Sequence, residues 1–206
     1  MTSTPTDGAA RPRSLAGEKA RRIVDAMRSS VARRGTAGST FDRVAREAGV
    51  SRGLLHYYFG TKEQLLVETV RHDCELRLER LEHQLAGART AEAFIGLMAQ
   101  SLQRALQEEA DFVTLLFELF ALSRRNADIA AEYGELLRRM RERLASMLAM
   151  AEQDGVLSLR AAPDAVAEIL FSLADGFALR MVAEPDRDFS ATMTAGIACA
   201  RALVGG

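Results

Sequence analysis

The chain has 206 residues, 48% hydrophobic and 27% charged, which is ample for an ordered core and excludes a disordered or fibrous protein. Its net charge of −1 would by itself argue against a nucleic-acid partner, but the charge is divided: residues 1–62 carry 12 Lys/Arg against 5 Asp/Glu, and residues 63–206 carry 15 against 23. A basic head on an acidic body is the pattern of a DNA reader with a separate regulatory part.

In chain order, residues 1–13 read as a flexible arm in which Arg11 and Arg13 are within reach of a minor groove. A first helix over residues 15–34 has Ala20, Ile23, Val24, Met27 and Val31 on one stripe and ends at Gly35. Ser39 then caps a second helix, with Asp42 completing a capping box, and Val44, Ala45 and Ala48 form a narrow apolar face. Gly49 supplies a left-handed turn, Val50 plugs the angle, and Ser51 caps a third helix over residues 52–59. On that helix Leu55, Tyr58 and Phe59 face inward, leaving Arg52, Gly53, Leu54, His56 and Tyr57 outside. Two short helices across a tight turn are a helix-turn-helix for DNA. Arg52 and Lys62 stand at helix starts, the wrong end of the dipole for a cation, and a bound phosphate repairs both.

Ser39-Thr40, Val44-Ala45, Ala48-Gly49-Val50-Ser51, Gly53, Leu55, Tyr58-Phe59, Thr61-Lys62-Glu63 and Leu65 resemble, at matching spacing, the tetracycline-repressor-like (TetR) family of bacterial transcriptional regulators. The resemblance covers roughly residues 15–70. It implies a homodimer on palindromic double-stranded operator DNA, most often a repressor released by a small molecule; ligand-independent regulators and activators share the fold. With the cap-and-cation pattern, it assigns Thr40, Tyr57 and Lys62 to phosphates and Arg52, Gly53, Leu54 and His56 to base edges, and it counts Ser39 and Ser51 in the same DNA-binding set. The family usually has Tyr where His56 stands and often His where Tyr57 stands, so His56 either reads a base edge or packs.

Beyond this segment, amphipathic helices are expected over residues 62–85, 91–107, 112–124, 127–153, 163–183 and 187–204, with no strand alternation. The fourth connects the two parts and places Leu65, Leu66, Thr69, Val70, Leu76, Leu78 and Leu81 inward. The expected fold is therefore all-α, about nine helices: a three-helix DNA-binding domain over residues 14–62 and a helical ligand-binding and dimerisation domain over residues 63–206. Excess apolar surface on the last two helices predicts a dimer contact through Leu173, Phe177, Met181, Met193, Ile197 and Ala200. Adaptable apolar residues predict an effector pocket lined by Phe94, Met98, Leu102, Leu116, Phe120, Tyr133, Leu137, Met140 and Phe177, with Glu118 or Tyr133 as polar handle. Glu118 has three readings: pairing with an Arg such as Arg180, bonding a ligand, or lying on a wet stripe, the last being the simplest.

The rival class is an all-helical enzyme, and its motifs are missing: there is no Gly-rich phosphate loop and no nucleophile motif. His56, His72 and His83 are the only histidines, and no metal or cofactor is expected. A membrane-surface role for residues 127–153 is disfavoured because Glu132, Glu135 and Glu142 alternate with Arg138, Arg139, Arg141 and Arg143. No apolar run is long enough for a bilayer, the first residues lack a signal core, and Cys74 and Cys199 are isolated, so the expectation is a cytoplasmic protein with free, buried thiols.

Overall fold

The computed structural model describes residues 18–107 and 110–205, with Ala110 described by its backbone only. The arm over residues 1–13 and the predicted helix start at residue 15 lie outside the described residues. Among those described, the regular structure is nine helices: α1 Glu18–Gly38, α2 Phe41–Ala48, α3 Arg52–Phe59, α4 Lys62–Leu85, α5 Ala91–Gln107, α6 Ala110–Ser123, α7 Ala127–Gln153, α8 Pro163–Ala183 and α9 Ser190–Val204.

The regular part of α1 does end at Gly35, which breaks the helix at φ 66 and ψ 174, a conformation open to glycine alone. The α2 cap, by contrast, is one residue later than predicted. Thr40 is the cap, its hydroxyl accepting from the Arg43 N–H at 3.4 Å, while Ser39 is fully buried and donates to the Gly35 carbonyl at 2.9 Å. The reason is Phe41, a buried anchor at the first helical position that the apolar spacing of α2 alone did not include. Asp42 is consequently not a capping-box partner and instead pairs with Arg52 at 3.2 Å.

Two further expectations are corrected. Leu76 is exposed, because the inward stripe of α4 runs through Leu66, Val70, Cys74 and Leu78 on the opposite side. The last helix starts at Ser190 rather than near residue 187, since the Asp188 carboxylate accepts both the Ser190 N–H and its hydroxyl and so ends the preceding turn. Phe189 is buried just ahead of the helix.

The apolar core of α1, α2 and α3 continues without a break into α4, α6 and α7, where Phe112, Leu115, Leu119, Ile129 and Leu136 join Met27, Val31, Leu55 and Leu66. A second cluster joins the C-terminal half of α4 to α5, α7, α8 and Val204 of α9. Polar ties also bind the first cluster across elements. Arg28 on α1 grips Asp73 on α4 with two nitrogens, one at 2.8 Å, and Thr36 after the Gly35 break donates to Glu118 on α6 at 2.5 Å. Among the described residues, no helix is long and apolar enough to cross a membrane. The charged face of α7 is internally paired, Arg138 with Glu135 and Glu142, and Arg139 with Glu135, whose carboxyl is held down at about 2 by those guanidinium bonds.

Candidate DNA-reading helices and effector cavity

The turn between α2 and α3 is built by backbone geometry. Gly49 stands at φ 67, and the Val50 N–H reaches back to the Ala45 carbonyl at 2.9 Å, closing the helix end with the chain redirected. Ser51 caps α3 by accepting from the Leu54 N–H at 3.3 Å, and Thr61 caps α4 by accepting from the Gln64 N–H at 3.1 Å. Arg33 and Arg34 both bond Glu47, so α1 lashes α2 in place. On this frame Thr40, Ser51, Arg52, Gly53, His56 and Tyr57 are exposed, Tyr57 by 66%, and Leu54 is half-buried against the core. Ser39 is a correction to the predicted set: its side chain is enclosed between α1 and α2 and has no path to a phosphate.

His56 stands edge-on to Phe41 at 4.6 Å between ring centroids, and its Nδ1 lies 3.2 Å from the Gly60 carbonyl. With Nδ1 donating there, Nε2 is left to accept from the Arg52 Nε–H at 3.3 Å. Its imidazole leans on Phe41 while staying exposed, and it orients Arg52. The Lys62 ammonium donates to the Thr36 carbonyl at 2.8 Å, tying the start of α4 to the end of α1, and two of its three donors are left for a phosphate.

At the seam between the two core clusters lies a cavity of about 210 Å³. Of the predicted effector residues, Met98, Leu102, Met140 and Phe177 line it. The other six do not. Phe94 is buried in the second cluster, Leu116 packs on the first, and Glu118 is engaged by Thr36 and so is neither a ligand handle nor a partner of Arg180. Phe120 and Leu137 are exposed, and Tyr133, its ring 6.1 Å from that of Phe120, lies outside the lining as well. Sequence reasoning missed Cys74 and Arg77 of α4, Phe112 of α6 and Phe171 of α8, all lining residues. The available signal was a cation, Arg77, on the inward stripe one turn after Cys74.

Of the residues predicted for the dimer contact, Leu173, Phe177, Met193, Ile197 and Ala200 line the cavity, and all six, Met181 included, are half-buried in the single subunit. The helices α8 and α9 pack closely enough that a Cβ on Gly196 would stand 2.8 Å from the Phe177 ring. The apolar residues that α8 leaves outside are Ile169, Leu179 and Val182. Along α9 the exposed positions include Ala191, Ala195, Ala198 and Ala202 beside Arg201, and Cys199, expected to be buried, is exposed as well.

A capped, basic helix-turn-helix joined through a shared core to a helical body with a half-open apolar cavity defines a DNA-binding regulator. Residues 23–69 match the bacterial regulatory proteins of the tetR family, and residues 91–203 match the BetI-type transcriptional repressor C-terminal domain. The chain belongs to the TetR family of transcriptional repressors, with a regulatory body of BetI type. Its relatives include the HTH-type transcriptional regulator BetI of Rhizobium meliloti (strain 1021), 31% identical over 161 residues that span 77% of this chain and 75% of the relative. The fold is also that of the regulator FadR from Bacillus subtilis in complex with stearoyl-CoA, at 20% identity, TM-score 0.72, and 87% and 96% of the two chains. A regulator from Saccharomonospora viridis in complex with choline superposes with TM-score 0.71 at 22% identity, over 90% and 97%.

Proposed function

We propose that the protein is a homodimer that holds a palindromic operator through α3 and releases it when a small apolar or amphipathic molecule enters the cavity. The observation that carries this reading is the position of the cavity: its walls include α4 and α6, and each of these is bonded to α1 of the reading head, through Asp73–Arg28 and Glu118–Thr36. A ligand that shifts α4 or α6 thereby moves the frame on which α2 and α3 rest. It changes operator affinity only by its preference for the subunit arrangement with the wrong spacing of reading helices. Regulators of known structure with this fold hold stearoyl-CoA in one case and choline in another, which supports a ligand-binding body here. The family supports action on DNA inside the cell.

The test is direct. The purified protein is mixed with sheared DNA of its own genome, and the retained fragments are sequenced. The expected result is a shared inverted repeat whose half-sites lie one helical turn apart, about 34–36 Å. Retention of fragments with no common sequence would reject a specific operator.

A further inference from the structure

The cavity at the seam is walled by apolar side chains from every side, among them Met98 of α5, Met140 of α7, Phe171 and Phe177 of α8 and Met193 of α9. Its volume is about 210 Å³. A dry cavity of about 150 Å³ lined by Leu, Ile and Phe accepts benzene, so this one holds a body of about eight to ten heavy atoms. Rings and thioethers together suit a flat, polarisable body, because sulfur meets the edge of an aromatic ring favourably and Met adapts to its outline. Among the described residues, Arg77 is the one ionised side chain of the lining, and the Cys74 thiol and the Ser101 hydroxyl are its other polar side-chain groups. The charge of Arg77 is already engaged. Its guanidinium carbon stands 3.8 Å from the centroid of the Phe112 ring on α6. Burial lowers its pKa to about 10, although Asp73, one turn earlier on α4, attracts it, and it stays protonated at neutral pH. The Cys74 thiol is pushed up to about 12 by burial and stays neutral.

We propose, on the reading that this cavity is the effector site, that it takes a compact, uncharged aromatic molecule of about eight to ten heavy atoms. A quaternary ammonium head would bring a second positive charge into a low-dielectric space that already holds Arg77. A carboxylate head would shed its water to meet a guanidinium that Phe112 and Asp73 already engage, so the cost of burying it finds no matching gain. A long acyl chain has more body than the volume admits. A neutral ring leaves Arg77 as it is and exchanges water for Phe and Met contacts over its whole surface. Seated beside Arg77 of α4 and Phe112 of α6, it bears on both helices that are bonded to α1.

The experiment titrates the full chain calorimetrically at neutral pH with quinoline and three relatives: N-methylquinolinium as the cation, quinoline-6-carboxylate as the anion, and acridine as the neutral molecule with one ring more. Quinoline is expected to bind at least about tenfold tighter than either ion, a ratio that the burial of one uncompensated charge readily exceeds. Acridine should bind no tighter than quinoline, although its larger apolar surface alone would favour it. Ala174→Phe, which fills the cavity from α8, should remove quinoline binding; Ala99→Leu, a smaller filling from α5, should weaken it and serves if the larger ring prevents folding. An ion that binds as tightly as quinoline, or an acridine that binds clearly tighter, overturns the ligand class and leaves the cavity as the effector site. Quinoline affinity unchanged in a folded filled variant overturns the site of binding. Equal quinoline affinity of the free and the operator-bound protein supports the ligand class and overturns the effector reading on which it rests. Failure of all four probes to bind overturns both.

Discussion

At the scale of single residues, the proposed docking separates side chains assigned to the DNA backbone from Arg52, assigned to bases. Arg52 is exposed, paired with Asp42 and steered by His56, so its guanidinium is pre-positioned on the outer face of α3. Arg52→Ala is expected to relax specificity at a cost of about 1–3 kcal/mol, since a bidentate contact to a base is lost. Lys62→Ala should weaken binding to all sequences alike and lower the salt dependence by about one ion. Filter binding of operator and random DNA across a salt series measures both; an unchanged slope in Lys62→Ala would mean that its ammonium serves only the Thr36 carbonyl. The imidazole at position 56 was the residue whose role the sequence left open. Phe41 and Gly60 close around it, and neither contact is written in the spacing of α3 itself.

Between elements, the α1–α4 and α1–α6 joints matter more than any one helix. Asp73 is 3% exposed and bonded by a partly buried guanidinium, which burial alone would depress but the Asp73 bonds raise above its usual value. Removing either partner leaves the other short of its charge-assisted bonds. A double-mutant cycle of Arg28→Ala and Asp73→Ala, read from urea unfolding, should return a coupling of about 1.5–3 kcal/mol. Additive losses would show that the joint contributes nothing as a pair. Element limits were largely legible from apolar spacing and punctuation: α3, α4, α5, α7 and α8 fall where Gly, Pro, Ser and Thr mark them. The α2 cap was not, because two adjacent hydroxyl residues, Ser39 and Thr40, both fit the local rule and only the burial of Phe41 chooses between them.

For the molecule as a whole, the outward face of α8 and α9 is the candidate for self-association. Ile169, Leu179 and Val182 are exposed there, beside the alanines of α9 that permit close backbone approach. Leu179→Glu is expected to turn a dimer into a monomer in sedimentation at micromolar concentration and to abolish tight operator binding, because one reading head spans a single half-site. Phe177→Glu would make a poorer test, as its ring lines the cavity and abuts Gly196. A monomeric wild type in the same run would exclude the dimer outright.

By itself the sequence determined the class of fold, the helix-turn-helix and the sidedness of charge. These depend on local spacing, on capping chemistry and on composition, all of which act within a few residues along the chain. Tertiary structure decided which face of each helix looks where. Residues such as Phe177 and Ile197 have the same apolar character whether they fill a core, line a cavity or meet another subunit, and only the packing of α8 on α9 sets them beside the cavity. Arg77 likewise reads as one more cation on α4 until α5, α6, α8 and α9 close around it, since burial is a property of the assembled helices and of no segment alone.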